Sequence, residues 1–305
     1  MRAKEFKEYN IFKLMFRKLF YNFTLLKCPI LINAFLDFND AGNLQNTNWG
    51  DDLNWHFVRA ICKRSVAIYN RMSLAFRLKL KNYLIIGSTI DMLCKINTVV
   101  WGAGLIYGDR KLTIKPQKVY AVRGPLTRAA LIEQGINCPE VYGDPALLLP
   151  LYYNAPKKKK YKFGFIPHVS NLKNIKDIKI DNTNISERED ILLIDLSNYK
   201  RWTDIIDQIN SCEYIISNSL HGLIVSEAYK IPNMWVEFGN PLIGGHFKFH
   251  DFFLSIGVDR DNPFYIKNDV FSEKDILDII GKWKPGHIDL KPLISSCPFS
   301  ISLRQ

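Results

Sequence analysis

The sequence predicts an α/β protein with two domains in tandem, each built on a parallel sheet covered by helices. Short apolar segments that end in small or polar residues alternate with stretches of helical periodicity. A lysine-rich segment, "NAPKKKKYK", interrupts this alternation near the middle of the 305 residues. We therefore place a domain boundary near residue 155 and expect a cleft between the domains.

The predicted first domain covers residues 26–155. "NYLIIGS" and "NTVVWGAG" are predicted strands that end in glycine, and "EVYGDPALLLP" is predicted to contain a further strand end. In "KVYAVRGPLTRAALIEQG", a strand leads into a helix that begins at Pro125 and stops at Gly135. Asp51 or Asp52 is predicted to cap an earlier helix.

The predicted second domain covers residues 156–290 and repeats the same pattern. Its strands are expected in "YKFGFIPH", "ILLIDLSN" and "EYIIS", with a helix around "WTDIIDQINSC" and another after "SNSLHG". Ser272 is predicted to cap a last helix, "EKDILDIIGKW", which we expect to pack back onto the first domain. Residues 291–305 are interpreted as a tail.

Residues 1–25 form a basic amphipathic segment that two interpretations fit. A helix of this kind can lie on an anionic membrane surface, or it can pack on the body of the protein. The sequence has no run of eighteen uncharged apolar residues, so we expect a cytoplasmic protein, with peripheral contact to the inner face of the membrane under the first interpretation. The segment's apolar residues recur at helical spacing with bases between them: Phe12, Lys13, Met15, Phe16, Arg17, Lys18, Leu19 and Phe20.

The amino-acid composition and the net charge indicate which kinds of molecule the protein is expected to bind. Apolar residues make up 47% of the chain, which indicates a folded protein, and the net charge of +11 suggests anionic partners. Nucleic acid is the least favoured of these, because no motif interleaves aromatic and basic residues. The six cysteines are scattered, without the paired spacing of a zinc site, as expected for reduced thiols.

The segment "ISNSLHGLIVSEAYKIP" places polar residues where a predicted strand turns into a helix. A helix that begins there points unpaired N–H groups at the carboxyl edge of the sheet, where they can bind an anion. Ser217, Asn218 and Ser219 can donate to such an anion, and His221 in the first turn can carry a proton. The alternative is a helix cap beside a buried histidine.

Other polar residues are predicted at the same edge. The guanidinium of Arg123 can hold a carboxylate or phosphate with two hydrogen bonds. His168 also follows a predicted strand, and Asp144 either binds a ligand or forms an Asx-turn. In "NWGDD", a carboxylate can act as a base toward a sugar hydroxyl or serve only as a helix cap.

The segment "GGHFKFHDFF" is predicted to be a glycine-led loop with a polar set of side chains. His246, Lys248, His250 and Asp251 fall within it, but no carboxylate has the spacing of a metal ligand. We therefore predict no metal site there.

Taken in order, several segments resemble the polysaccharide pyruvyl transferase family. They are "NWGDDLN", "YLIIGS", "VWGAG", "VYAVRGPLTRAAL", "YGDPALLLP", "FIPH", "SNSLHGLIVSEAYKIP" and "KFHDF", from residue 48 to 252. The resemblance implies two Rossmann-like domains in a glycosyltransferase-B-like arrangement. It also implies phosphoenolpyruvate as co-substrate, a glycan or lipid-linked oligosaccharide as acceptor, a pyruvate ketal as product, and no nucleotide cofactor or metal.

With this resemblance, His221 is the expected acid and Asp51 the expected base. Some family members carry arginine where this chain has Ser219, so Arg123 or Lys248 must supply the charge. A nucleotide-sugar glycosyltransferase, with Glu227 on the ribose, and a non-catalytic glycan-binding protein are the alternatives. The expected donor contacts are Arg123, Ser217, Asn218, Ser219 and Lys248, and the expected acceptor contacts are Asn48, Asp52, Asp144 and His168.

Overall fold

A computed structural model describes residues 28–39, 43–62, 64–71 and 73–302. The basic segment 1–25 lies outside them. None of the helices within these ranges is long and apolar enough to cross a membrane. The elements confirm the α/β class, because two five-stranded sheets alternate with helices along the chain.

The first sheet has the order β4-β1-β5-β6-β7, and every pairing in it is parallel. A short antiparallel pair, β2 with β3, lies outside it. The elements of this half are β1 (Ile30–Ile32), β2 (Asp37–Phe38), β3 (Leu44–Gln45), α1 (Trp49–Ile61), β4 (Val66–Ile68), α2 (Leu74–Arg77), β5 (Asn82–Leu84), α3 (Ile90–Leu93), β6 (Thr98–Trp101), β7 (Lys118–Ala121), α4 (Pro125–Glu133) and a 3₁₀ helix (Pro145–Leu151).

The second sheet has the order β11-β8-β12-β13-β14 and is also parallel throughout. A small sheet of β10, β9 and β15 accompanies it. The elements are β8 (Tyr161–Ile166), a 3₁₀ helix (Val169–Asp177), β9 (Lys179–Ile180), β10 (Thr183–Asn184), a 3₁₀ turn (Ile185–Glu187), β11 (Ile191–Leu193), α5 (Asp204–Asn210), β12 (Cys212–Ser217), α6 (Leu220–Ala228), β13 (Asn233–Glu237), α7 (Phe247–Ser255), β14 (Phe264–Tyr265), β15 (Val270–Phe271), α8 (Glu273–Ile280) and α9 (Lys291–Ser295).

Both sheets have the same internal order, with the first strand between the second and the third. The strand order therefore reverses between β1 and β5 in one sheet and between β8 and β12 in the other. In open parallel sheets, ligands bind beyond the carboxyl ends of the strands at such a reversal. The fold thus marks two positions, one in each half, where a ligand is expected.

One predicted local structure is wrong, and a second is confirmed only in part. Helix α1 begins at Trp49, and its cap is Asn48, whose side chain accepts from the Gly50 amide, so Asp51 and Asp52 lie in the first turn instead. The strand end predicted in "EVYGDPALLLP" is present only as an isolated parallel bridge between Tyr142 and Val122, after which Asp144 accepts from the Ala146 amide and starts the 3₁₀ helix. The predicted start of α4 at Pro125 and its stop at Gly135, with φ of 70°, are confirmed.

Two later segments also differ from the sequence interpretation. The expected glycine-led loop contains helix α7, which begins directly after Gly244 and Gly245. Helix α8 is capped by Ser272 as predicted, but Ile276 and Ile280 pack on the second sheet, because its apolar stripe joins the cluster around Phe165. The expectation that α8 packs on the first domain is therefore wrong.

The residues after α8 return to the first sheet. The indole N–H of Trp101 donates to the Leu293 carbonyl at 2.9 Å, and the ring of Phe299 packs edge-on against Trp101 and Tyr83. The amide of Ser302 donates to the carbonyl of Ile61. Residues 291–302 therefore close over the first sheet.

One continuous apolar cluster joins the two halves. Trp49 and Leu53 of α1 belong to it together with Leu220 and Leu223 of α6. A fully buried ion pair adds a polar link, because Arg123 Nε donates to Asp251 Oδ2 at 3.0 Å and both side chains are 0% exposed. Packing and charge thus fix the relative position of the two sheets.

We expect Arg123→Ala to lower the free energy of unfolding by about 3–5 kcal/mol, because it leaves the Asp251 carboxylate buried without its cation. The matched control is Arg201→Ala, which removes an arginine that is 74% exposed from its pair with Asp204 and should leave the free energy of unfolding nearly unchanged. Urea denaturation measures both. Equal losses in the two variants would show that the buried pair is not a major link.

Candidate active site

The beginnings of helices α1 and α6 meet at the carboxyl edges of the two sheets. A Cβ built on Gly50 of α1 would lie 1.9 Å from Nδ1 of His221, which is in the first turn of α6. The start of α1 is also held by the other half, because the Trp49 amide donates to the Leu196 carbonyl at 2.8 Å. Only glycine at position 50 leaves room for the imidazole.

Gly87, which follows β5, completes this contact. A Cβ built on it would lie 3.5 Å from Asp51 Oδ1 and 3.8 Å from His221 Cε1. Both distances are ordinary contacts, so glycine is favoured there by its φ of 98°, which L side chains rarely adopt. Asp51 and His221, from opposite halves of the chain, therefore line one small space at the predicted edge.

The polar cluster before α6 is held mainly by its own hydrogen bonds. Ser217 Oγ accepts from the Ser219 amide at 3.0 Å, and Asn218 Oδ1 accepts from the His168 amide at 2.5 Å. Ser219 stands at the cap position, but its side chain makes no capping bond. The amide Nδ2 of Asn218 is buried without a hydrogen-bond partner among the described residues.

His221 is 8% exposed, and its Nε2 likewise has no partner within the part of the chain that the structure describes. Burial, together with the charges of Arg123, Lys248 and His168, lowers the pKa of His221 to about 3. The imidazole is therefore neutral at neutral pH. A neutral imidazole with a free nitrogen can accept a proton.

Asp51 has the opposite shift from the same main cause. Burial and the neighbouring Asp52 raise the pKa of Asp51 to about 7, against the opposing effects of the hydrogen bond from Asn48 Nδ2 at 2.8 Å and the charge of Lys248. The carboxyl group is thus poised to hold or release a proton near neutral pH.

Asp52 has a different environment. Its side chain is 0% exposed and accepts from the Tyr199 hydroxyl at 2.8 Å, and burial raises its pKa to about 6. This hydrogen bond ties α1 to the second half. Asp52 therefore helps to hold the first turn of α1, which carries Asp51.

Lys248 is the cation nearest to this pair that lacks an anionic partner in hydrogen-bond range among the described residues. It lies on α7, and burial, followed by the charge of Arg123, lowers its pKa to about 8. His168 faces the same charge, and burial and Lys248 lower its pKa to about 4. A half-buried ammonium beside a neutral imidazole suits an anionic ligand.

The guanidinium of Arg123 is more enclosed than one that is free to hold a ligand with two hydrogen bonds. Besides Asp251, it donates to the Leu105 carbonyl at 2.8 Å and to the Ser88 hydroxyl. A Cβ on Gly104 would lie 2.4 Å from its Cζ, so glycine makes room for the guanidinium. Arg123 therefore contributes charge and holds α7 in position.

Asp144 lies under the same space. Its Oδ2 accepts from the Gly87 amide at 3.4 Å, and burial raises its pKa to about 6. Because it also caps the following 3₁₀ helix, it fixes the backbone at Gly87. The structure thus brings Asn48, Asp51, Asp144, His168, His221 and Lys248 together at one edge.

Two residues considered for other roles have partners of their own. Glu227 is 2% exposed and accepts from Arg260, Trp283, Asn233 and the Gly286 amide. These contacts leave no carboxylate oxygen free for a ribose. Asp251 is bound to Arg123, and no group of three or more His, Cys, Asp or Glu positioned for a metal ion occurs among the described residues.

Sequence reasoning missed four contributors: Gly50, Gly87, Tyr199 and Asp251 in its role as an ion-pair partner. The partners of Tyr199 and Asp251 are more than a hundred residues away, so no local signal reveals them. Both glycines lie in motifs that the sequence analysis singled out, "NWGDD" and "NYLIIGS". Each stands directly before a polar residue, and this was the signal that could have marked it as part of the site.

Comparison with known proteins identifies the family. Residues 13–240 match polysaccharide pyruvyl transferases. The chain belongs to this family. The family resemblance stated from the sequence is therefore confirmed.

Two curated relatives can be compared in detail. The uncharacterized protein L143 of Acanthamoeba polyphaga mimivirus is 30% identical over 170 residues, which are 54% of this chain and 57% of that protein. The succinoglycan biosynthesis protein ExoV of Rhizobium meliloti (strain 1021) is 27% identical over 230 residues, which are 70% of this chain and 63% of ExoV. The chain thus spans about three fifths of each relative's length.

We expect Gly50→Ala to displace the imidazole of His221 and to lower the melting temperature, because the new Cβ would overlap the ring. The matched control places the same substitution in a His221→Ala background, where the overlap is gone and the loss should disappear. Thermal unfolding of the four proteins in this cycle gives the coupling. Equal losses in both backgrounds would contradict the contact.

Proposed function

We propose that this protein transfers the pyruvyl group of phosphoenolpyruvate to a sugar of a polysaccharide or of its lipid-linked precursor, forming a pyruvate ketal. Family membership and the similarity to ExoV, a succinoglycan biosynthesis protein, support the reaction class. The observation that carries the proposal is the meeting of Asp51, His221 and Lys248 at the carboxyl edges of both sheets.

The donor would bind at the beginning of α6. Phosphoenolpyruvate carries a phosphate and a carboxylate, and the first N–H groups of a helix together with a cation suit both. Lys248 supplies the cation, and the buried charge of Arg123 adds to the field. Lys248 thereby takes the role of the arginine that some family members carry at the position of Ser219.

The proton steps follow from the pKa values. The sequence suggested His221 as acid and Asp51 as base, but the environments favour the reverse assignment. Asp51, with a pKa of about 7, would protonate the methylene carbon of the donor, and a bound anion would keep it protonated. His221, neutral with a free Nε2, would accept the proton of the attacking hydroxyl once the bound anionic donor raises its pKa from the value of about 3 that burial and the nearby cations set.

These steps balance. The methylene carbon gains a proton and becomes a methyl group, and a first sugar hydroxyl bonds to the central carbon. The bond from that carbon to the phosphate oxygen breaks, a second hydroxyl of the sugar takes the place of phosphate, and inorganic phosphate leaves with the remaining proton. The two halves would supply donor and acceptor sides, which is how a glycosyltransferase-B-like arrangement would serve this reaction, without a cofactor.

The direct test is incubation with phosphoenolpyruvate and a polysaccharide or lipid-linked acceptor. We expect release of inorganic phosphate and an acceptor whose mass rises by that of pyruvate less water. The His221→Ala variant should lower kcat by roughly 10²–10⁴-fold. Phosphate release without a mass gain, or transfer from a nucleotide sugar instead, would reject the ketal assignment.

Lys248→Ala should raise the KM for phosphoenolpyruvate by about 10–100-fold, as expected for loss of a charge-assisted hydrogen bond. Lys248→Arg should retain most of the affinity, because it keeps the charge. Lys157→Ala, at an exposed linker lysine, is the matched control and should leave KM unchanged. The KM values are measured by steady-state kinetics at saturating acceptor. An unchanged KM in Lys248→Ala would show that the donor binds elsewhere.

A further inference from the structure

The edge of the first sheet opposite the candidate site is basic. Among the described residues, the segments that lead directly into β4, β5, β6 and β7 contain no aspartate or glutamate over residues 64–65, 73–81, 94–97 and 110–117. Arg64, Arg77, Lys79, Lys81 and Lys115 are exposed there, and Lys95 is half-buried. We call residues 64, 77–81, 95–96 and 115 the amino-edge surface.

Large apolar side chains are exposed within this basic surface. Leu78 is 60% exposed, Leu80 39% and Ile96 49%. The turns that carry them are adjacent, because Asn97 Nδ2 donates to the Lys79 carbonyl at 2.7 Å. Alternation of exposed leucines with arginine and lysine in "RLKLK" places apolar and cationic groups on one surface.

The sequence shows how uneven the charge is. Between Asp52 and Asp91 it has no acidic residue and seven basic ones. A solvated surface that served only solubility would mix both signs. The amino-edge surface therefore has the composition of a face that meets an extended anionic partner.

The first described residue, Cys28, lies at this same edge. Arg64 donates to the Cys28 carbonyl at 2.6 Å, directly before β1. Residues 1–27 contain seven basic and two acidic residues. Like charge disfavours packing of this segment, or of a second copy of the same surface, against the amino-edge surface.

We propose that the amino-edge surface binds an anionic lipid bilayer, with Leu78, Leu80 and Ile96 entering the interface and Arg77, Lys79 and Lys81 contacting the headgroups. Exposed apolar groups surrounded by basic residues are typical of protein surfaces that bind an anionic bilayer. Because the five parallel strands of the first sheet run toward the opposite edge, a bilayer bound here leaves the candidate site uncovered. The inference is independent of the reaction proposed above.

The test is flotation of the full chain with vesicles of phosphatidylcholine alone, and of equal parts phosphatidylcholine and phosphatidylglycerol. Binding should require the anionic lipid and weaken as salt rises. The triple variant Arg77→Gln, Lys79→Gln, Lys81→Gln should lower the partition coefficient about 100-fold. Its matched control, Lys157→Gln, Lys158→Gln, Lys160→Gln, removes three exposed linker lysines and should bind as the unmodified chain does.

An apolar pair of variants tests insertion. Leu78→Ser with Leu80→Ser should lower binding by about tenfold or more, whereas Leu151→Ser with Leu254→Ser, at comparably exposed leucines, should not. Failure of the full chain to bind anionic vesicles, or equal losses in variant and control, overturns the proposal. Two other results for Leu78→Ser with Leu80→Ser would also overturn it, provided that vesicle binding is unchanged. A lower mass by light scattering would favour a second copy as the occupant of the surface, and a lower melting temperature would favour the chain's own N-terminal segment. No donor or acceptor is present, so the result does not depend on the reaction.

Discussion

The buried pair of Arg123 and Asp251 is the interaction on which the geometry of the site depends. It joins a residue that follows β7 of the first sheet to a residue of α7, beside the second sheet. Thr127 donates to the same carboxylate through both its amide and its hydroxyl. A buried ion pair adds little net stability, but its geometry is exacting, so it fixes one relative position of its partners.

That position determines where the Lys248 ammonium lies. Lys248 precedes Asp251 by one helical turn and therefore shares its side of α7. Anchoring Asp251 to Arg123 holds the Lys248 ammonium close enough to lower the pKa of His221 and of His168. The paired cation, Arg123, thus orients the helix that carries Lys248, which has no anionic partner in hydrogen-bond range among the described residues.

Burial also explains why two neighbouring groups shift in opposite directions. Removal from water disfavours the charged form of both, so the pKa of Asp51 rises and that of His221 falls. Both groups are consequently neutral at slightly acidic pH. One holds a proton and the other can receive one, which is the pairing that addition across a double bond requires.

The sequence predicted the alternation of strands and helices, the start of α4 at Pro125, and the placement of His221 in a first helical turn, because these follow from local spacing and capping. It did not predict α7, because two glycines and a mixed pattern of polar residues favoured a loop. The side of this helix that faces the first sheet is fixed by Asp251, through its ion pair with Arg123. It also placed Arg123 as a free binding group, since its partner is 128 residues away. The acid and base assignments depend on burial, which residue type alone does not reveal.

The most direct test of the central claim, that Asp51 carries the proton to the donor, is the pH dependence of kcat/KM. Lys248→Arg is the background of choice, because its charge does not change near neutral pH. An acid with a pKa of about 7 predicts activity that is constant below pH 7 and falls above it, and Asp51→Asn should abolish this limb along with most of the rate. Activity that rises through pH 7, or a falling limb that persists in Asp51→Asn, would contradict the claim.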